Sequence, residues 1–203
     1  MIGIDPRSAP PKRPIEAGDV LDMQRYALER KALRQQMIDY KKNRRMHIGP
    51  YCTMLFENFH TMLYQVHEML HSEGNLQGQL EDELTAYNPL IPKGNELSAT
   101  MLLNIEAEAL RKRVLAQLGG IEDTIYLHFA DHSIQASYEQ EIKRTNEEGK
   151  TSSVHFLCFS FTPQQAQEFT RSGTRAKVEI THPEYSHSAA IPSLVHGAIG
   201  QDL

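Results

Sequence analysis

The sequence predicts an α+β protein in which a mostly antiparallel sheet of about five strands packs against several helices. Segments with apolar residues at helical spacing alternate along the chain with short runs of β-branched and aromatic residues. Two of these runs, residues 124–130 and 133–138, flank Asp131-His132 as a hairpin would. A hairpin mixed with helical crossovers is typical of an α+β fold.

The helices are predicted from apolar periodicity. The first runs from residue 19 or 20 to Tyr40, and the second covers about residues 58–72. Further helices are expected at residues 76–86 and 106–118, and another begins at Thr162-Pro163, which has the chemistry of an N-cap and a first turn. The apolar residues of the second helix share one face, and its opposite face carries His60, Tyr64, His67, Glu68 and His71.

Strands are predicted where β-formers cluster between turn residues. Short strands at residues 45–48 and 51–56 flank Gly49-Pro50, and longer ones cover residues 97–105, 153–161 and 175–181. On the strand at 153–161, His155 shares a face with Leu157, Phe159 and Phe161. We therefore expect His155 to be a buried, hydrogen-bonded histidine.

The chain has the composition of a single globular domain. Its 203 residues are 40% hydrophobic and 23% charged, which are ordinary values. We expect one domain over residues 18–185, a flexible proline-rich tail at 1–17 and a weakly ordered tail at 186–203. No apolar run is long enough for a membrane span, and no secretory signal is evident. A cytoplasmic location is expected, with Cys52 and Cys158 as reduced core thiols.

Residues 67–71 have the H-E-x-x-H spacing of zinc hydrolases. Two histidines one helical turn apart can bind one metal ion, and the glutamate between them can activate a bound water. His67 and His71 are therefore candidate ligands for zinc or iron, with Glu68 as the general base of a metal-dependent hydrolase. The third-ligand position that follows Gly74 is Gln77, a poor zinc ligand. A solvated, histidine-rich helix face is the alternative interpretation.

Basic residues are concentrated before residue 46. Eight lysines and arginines lie within residues 22–45, and none occurs from residue 46 to 92, although the net charge of the whole chain is −5. Such asymmetry indicates a basic helix paired with an acidic one, or a surface for an anionic partner. A phosphate- or RNA-binding module is a third hypothesis, but the absence of interleaved aromatic residues disfavours nucleic acid.

Several motifs resemble an uncharacterised bacterial family of about this length, a domain of unknown function. They are Lys41–Arg45, Gly49-Pro50, Phe56-Glu57-Asn58, Thr61, Gln65, Glu68-Met69-Leu70, Glu73, Tyr87–Pro92, Ala99-Thr100, Gly120–Asp123, Val154–Leu157 and His182–Tyr185. The resemblance covers roughly residues 18–186. This chain departs from the family pattern at His67, where the family usually has Gln, and at His71, where the family usually has Arg.

The resemblance implies a redox or peroxide-stress setting, because genes of this family often lie beside rubrerythrin and an iron–sulfur oxidoreductase. The leading hypothesis is an accessory protein that binds one of these two partners. Its binding residues would lie on the polar helix face or on the basic helix. The candidates are Glu57, Thr61, Gln65 and Glu73 on the former, and Arg34, Lys41, Lys42, Arg44 and Arg45 on the latter.

Overall fold

The structure is a computed structural model that describes residues 9–73, 78–138, 145–146 and 149–203. Its helices and strands follow in chain order: α1 (Met23–Lys42), β1 (Arg45–Ile48), β2 (Cys52–Glu57), α2 (Phe59–Glu73), α3 (Gln79–Tyr87), β3 (Glu96–Leu103), α4 (Glu108–Gln117), β4 (Ile125–Phe129), β5 (His132–Gln135), β6 (Val154–Ser160), α5 (Pro163–Thr170), β7 (Ala176–His182), β8 (Tyr185–Ala190) and α6 (Ser193–Ile199). The α+β class and the antiparallel sheet are confirmed.

The strands form two four-stranded antiparallel sheets, with the orders β1-β2-β3-β6 and β5-β4-β7-β8. Side chains that alternate along each strand bring the inward rows of both sheets into one apolar core. Met54, Met101 and Phe159 come from the first sheet, and Leu127 and Val178 come from the second. His155, on an inward row of β6, is 1% exposed and hydrogen-bonded through Nε2 to the Ser152 carbonyl oxygen, as the sequence predicts.

The two sheets adjoin at both of their edges. At one edge, Ser137 and Cys158 exchange backbone hydrogen bonds, each 2.8 Å long, so the β5 segment continues onto β6. At the other edge, the hydroxyl of Tyr185 accepts from the amides of Tyr51 and Cys52, each at 2.9 Å. The same hydroxyl donates to the carbonyl oxygen of Ile48 at 2.7 Å. One β8 side chain therefore holds the β1–β2 turn.

Glycine is required in that turn. Gly49 has φ +66°, a left-handed conformation that favours glycine. A Cβ at this position would lie 2.6 Å from the His187 ring and 2.8 Å from the Tyr185 hydroxyl oxygen. The predicted short strands on either side of Gly49-Pro50 are confirmed, and they pair with Ile48 opposite Cys52.

The helices fall into two groups. α4, α5 and α6 pack against the sheet core through residues that include Leu115, Phe169 and Ile199. α2 and α3 enclose a second, smaller core with Ile15 and Ile91, in which Val66 is fully buried. α1 lies across α2 and buries Tyr26, Leu33 and Met37.

Side-chain caps fix where two of the helices begin. Asp22 accepts from the amides of Gln24 and Arg25 at the first turn of α1. Thr162 and Gln165 form a reciprocal capping box at α5, and Pro163 occupies the first turn. The N-cap predicted at Thr162 is confirmed.

Several expected boundaries need correction. Eight strands occur among the described residues rather than about five. Residues 186–203, expected to be weakly ordered, form most of β8 and all of α6, with Val195 and Ile199 in the core. The proline-rich tail is structured from residue 9, since Ile15 is 2% exposed and its amide donates to Asn88 Oδ1. Residues 1–8 and the expected helix start near residue 76 lie outside the described residues.

No helix in the described part of the chain is both long enough and apolar enough to cross a lipid bilayer.

Candidate functional site

The H-E-x-x-H helix face packs against α1. The ring of Tyr26 stacks on the His67 imidazole with the centroids 4.7 Å apart, and it meets the His71 ring edge-on at 5.9 Å. His67 is 4% exposed. Its Nδ1 lies 2.7 Å from the Leu63 carbonyl oxygen, and its Nε2 accepts from the Leu21 amide at 2.8 Å. Burial lowers the pKa of His67, so the ring is neutral and bridges α2 to the start of α1.

Glu68 forms an ion pair with α1. Arg30 donates to both carboxylate oxygens at 2.8 Å, and the Tyr26 hydroxyl donates to Oε1 at 2.5 Å. These donors hold the pKa of Glu68 at about 2, with Arg30 as the main cause. A bidentate guanidinium keeps a carboxylate ionised and fixed in place. Glu68 therefore joins two helices in this geometry.

This arrangement gives the three motif residues structural contacts. Both ring nitrogens of His67 already have hydrogen-bonding partners, and the Tyr26 ring packs against both imidazoles. Within the described residues, no group of three or more potential metal ligands is assembled. Gly74 and Gln77, which extend the motif in the sequence, lie outside the described residues.

The Arg30–Glu68 pair predicts a pH-dependent stability. Glu68→Gln should lower the free energy of unfolding at pH 7 by only about 1 kcal/mol, because the pair is partly exposed and solvent screens it. The contribution of a carboxylate with a lowered folded-state pKa is full above its unfolded value and is lost as the pH falls. The difference between Glu68→Gln and the parent should therefore shrink from pH 4.5 towards pH 2. Urea unfolding across this range measures it, and a pH-independent difference would contradict it.

The polar residues that were candidates for partner binding on the helix face make contacts within the protein. Glu57, expected on that face, is instead the last residue of β2, and α2 begins at Phe59. The Thr100 hydroxyl donates to Oε1 of Glu57 at 2.7 Å, and Glu57 is 4% exposed. Thr61 is buried in the Asn58 cap, and Gln65 lies close enough to the Tyr87 hydroxyl to lower its pKa against the effect of burial. Glu73 accepts from Gln79 Nε2 at 2.6 Å. The contacts of these polar residues therefore stabilise the fold itself.

Arg44 is likewise buried, at 1% exposure. Its Nε donates to the Phe56 carbonyl oxygen at 2.8 Å, and another guanidinium nitrogen forms an ion pair with Asp202. Asn58 donates to Asp202 Oδ1 at 3.3 Å and to the Tyr40 hydroxyl at 2.7 Å. Burial raises the pKa of Asp202 despite the attraction of Arg44. Arg44 thus joins β1 and β2 to the last turn of the chain.

The four remaining basic candidates converge. Arg34, Lys41 and Lys42 of α1 and Arg45 of β1 line one groove of about 370 Å³, together with Met37, Ile38 and Tyr64. We call these seven residues the cationic groove. Helical spacing places Arg34, Ile38, Lys41 and Lys42 along one side of α1, and Arg45 follows because β1 begins three residues after the helix ends.

The charges of the groove are only partly neutralised. Lys42 pairs with Asp39 at 2.6 Å, but no salt bridge reaches Arg34, Lys41 or Arg45 in the described part of the chain. The Lys41 ammonium lies 5.7 Å from the Tyr64 ring centroid. Burial lowers the pKa of Lys41, and the carboxylate of Glu57 opposes that shift. A groove of this kind attracts oxyanions and carboxylates.

Exposed apolar side chains accompany these charges. Leu28 is 87% exposed and Ile38 is 48% exposed, and both lie on α1. Only Leu194 joins them among the large exposed apolar side chains of the described residues. The outward face of α1 thus combines unpaired cations with apolar anchors, which is the composition of many protein interfaces.

The two cysteines are not activated thiols. Burial raises the pKa of Cys52 to about 12 and that of Cys158 to about 11. Thiol reactivity depends on the thiolate, so both groups stay protonated at neutral pH.

Comparison with known proteins gives the family. Residues 14–203 match the family described as protein of unknown function DUF3501. The chain belongs to the DUF3501 family. A crystal structure at 1.90 Å resolution of a novel protein of unknown function from Burkholderia pseudomallei K96243 is similar to it, with a TM-score of 0.86 and 33% sequence identity. That match covers 93% of this chain and 98% of the other. No curated protein matches significantly.

The match confirms the resemblance to an uncharacterised family of about 200 residues and extends to residue 203. Sequence reasoning did not find the partners that Glu68 has in this DUF3501 fold. Tyr26 and Arg30 lie 42 and 38 positions away from it. The signal available in the sequence was that Tyr26 and Arg30 are four residues apart, a spacing that places both side chains on one side of α1.

Proposed function

We propose that this protein is a partner-binding accessory protein, whose cationic groove and neighbouring exposed face of α1 dock on an acidic surface of another protein. The supporting observation is the convergence of Arg34, Lys41 and Arg45 in one groove, with no salt bridge to any of the three among the described residues. A basic surface on a chain of net charge −5 steers acidic partners and orients them. The exposed side chains of Leu28 and Ile38 supply apolar contact.

Rubrerythrin and an iron–sulfur oxidoreductase are the partner candidates that the family resemblance suggests. The protonated thiols of Cys52 and Cys158 fit this assignment, since the accessory chain would position an electron-transfer protein and leave the redox chemistry to it.

Charge reversal tests the proposal. The double variant Arg34→Glu/Arg45→Glu should bind purified rubrerythrin or oxidoreductase from the same organism at least tenfold more weakly, because like charges would then face each other. Binding of the parent should weaken steeply with salt. Lys112→Glu/Arg113→Glu on α4 is the matched control, and calorimetric titration gives both affinities.

Three results would reject the proposal. The first is the absence of binding to either candidate at low salt. The second is equal weakening by the α4 control variant, which would indicate a non-specific charge effect. The third is tight, salt-dependent binding of single-stranded RNA at the groove, which would assign the surface to nucleic acid.

A further inference from the structure

A second cationic cavity lies on different elements, where the loop after α5 meets the start of α6. Its volume is about 790 Å³. It is lined by the loop from Arg171 to Arg175, by Ala190 at the end of β8, and by residues of α6 that include Ser193 and His196. A smaller cavity of about 480 Å³, which reaches Ala130, shares the same loop.

The lining of the 790 Å³ cavity is suited to oxyanions. It contains two guanidinium groups and several hydroxyl groups, and none of its lining residues is Asp or Glu. Arg171 and Arg175 form no salt bridge in the part of the chain that the structure describes. Glu168, the acid that interacts with Arg171, is held by His132, whose Nε2 lies 2.7 Å from its carboxylate. Two exposed guanidinium groups that form no salt bridge within the described residues can bind the oxygens of a phosphate.

The hydroxyl groups divide into two pairs. Thr170 and Thr174 donate to backbone carbonyl oxygens, Thr174 to that of Glu168 at 2.8 Å. The hydroxyl groups of Ser172 and Ser193 form no hydrogen bond within the described residues, so they can donate to a ligand. Gly173 has φ +87° and an open Cβ direction, so the loop backbone can approach a bound group closely.

His196 also lines this cavity. Its Nε2 is buried and lacks a hydrogen-bond partner among the described residues, and its ring packs on Phe169 with the centroids 4.4 Å apart. The floor beside it is apolar and includes Ala176, Ile191 and Pro192.

We infer that this cavity binds a small molecule that carries a phosphate group, with Arg171 and Arg175 on the phosphate oxygens. Ser172 and Ser193 donate to the same group, and a compact neutral portion of the ligand lies on the apolar floor. The volume falls within the range of small-molecule sites. This site is independent of the cationic groove and of the partner proposed for it.

Amide chemical shifts in a titration with inorganic phosphate and with glycerol 2-phosphate test the inference. Both probes should shift residues 171–175 and 193–197, glycerol alone should shift none, and glycerol 2-phosphate should bind more tightly than phosphate. Arg171→Gln/Arg175→Gln should weaken both anions at least about tenfold, since each charged hydrogen bond contributes to affinity. Both arginines are exposed, so the fold should be retained.

Two control variants separate this site from other charged surfaces. Lys112→Gln/Arg113→Gln and the groove variant Arg34→Gln/Arg45→Gln should leave the affinity for both probes unchanged. The inference is overturned if millimolar phosphate leaves residues 171–175 unshifted. It is also overturned if the Arg171/Arg175 variant binds as tightly as the parent. Failure of partner docking at the groove would leave these results unaffected.

Discussion

Arg44→Met should lower the free energy of unfolding by about 3–5 kcal/mol, the largest loss expected from a single substitution in this protein. The substitution leaves the Asp202 carboxylate buried without its counter-ion, since Asp202 is 1% exposed. It also removes the donors to the carbonyl oxygens of Phe56, Glu57 and Ala198. Urea unfolding followed by circular dichroism at pH 7 measures the loss.

A double-variant cycle separates the ion pair from simple packing. Arg44→Met/Asp202→Leu removes both charges and should recover part of the stability lost in Arg44→Met, because apolar pairs often replace buried ion pairs at little cost. Arg25→Met, whose partner Glu29 is on the surface, is the matched control and should change stability by at most about 1 kcal/mol. A double variant less stable than Arg44→Met would contradict this account.

Tyr185→Phe should cost about 2–3 kcal/mol, because it removes one oxygen atom that serves three backbone groups. The amides of Tyr51 and Cys52 lose their acceptor, and the Ile48 carbonyl oxygen loses its donor. The Phe ring keeps the packing volume, so the loss reports hydrogen bonding rather than a cavity. Urea unfolding gives the size of the effect.

Amide hydrogen exchange shows which part of the protein the Tyr185→Phe substitution destabilises. The amides of Tyr51 and Cys52 should exchange faster in Tyr185→Phe, whereas amides of the β4–β7 ladder should change only with global stability. Tyr126→Phe, on the half-exposed outer row of β4, is the control and should be nearly neutral. Unchanged exchange at Cys52 would show that the hydroxyl does not hold the turn.

Elements with strong local signals were predictable from the sequence. The cap at Thr162 and the turn at Gly49-Pro50 depend on residues within a few positions of each other. β8 was missed because only Tyr185 of its six residues is buried, so no alternation marks it as a strand. α6 buries only Val195 and Ile199, a single i, i+4 pair that is too short to show a helical period.

The same distinction applies to the candidate sites. Arg34, Lys41, Lys42 and Arg45 were identified from the sequence because they lie on one helix and the strand that follows it. The contacts of His67 were not predictable, because its Nε2 partner is the Leu21 amide, 46 positions away. Without that packing, two histidines one turn apart resemble metal ligands.

The joined sheet edges also affect how the protein behaves at high concentration. Free edge strands offer unpaired backbone groups to other molecules, and they are common starting points for association through added strands. Here β5 and β6 meet through Ser137 and Cys158, and the Tyr185 side chain occupies the turn between β1 and β2 beside β8. The contacts that connect the two sheets thus also limit strand exchange between neighbouring copies.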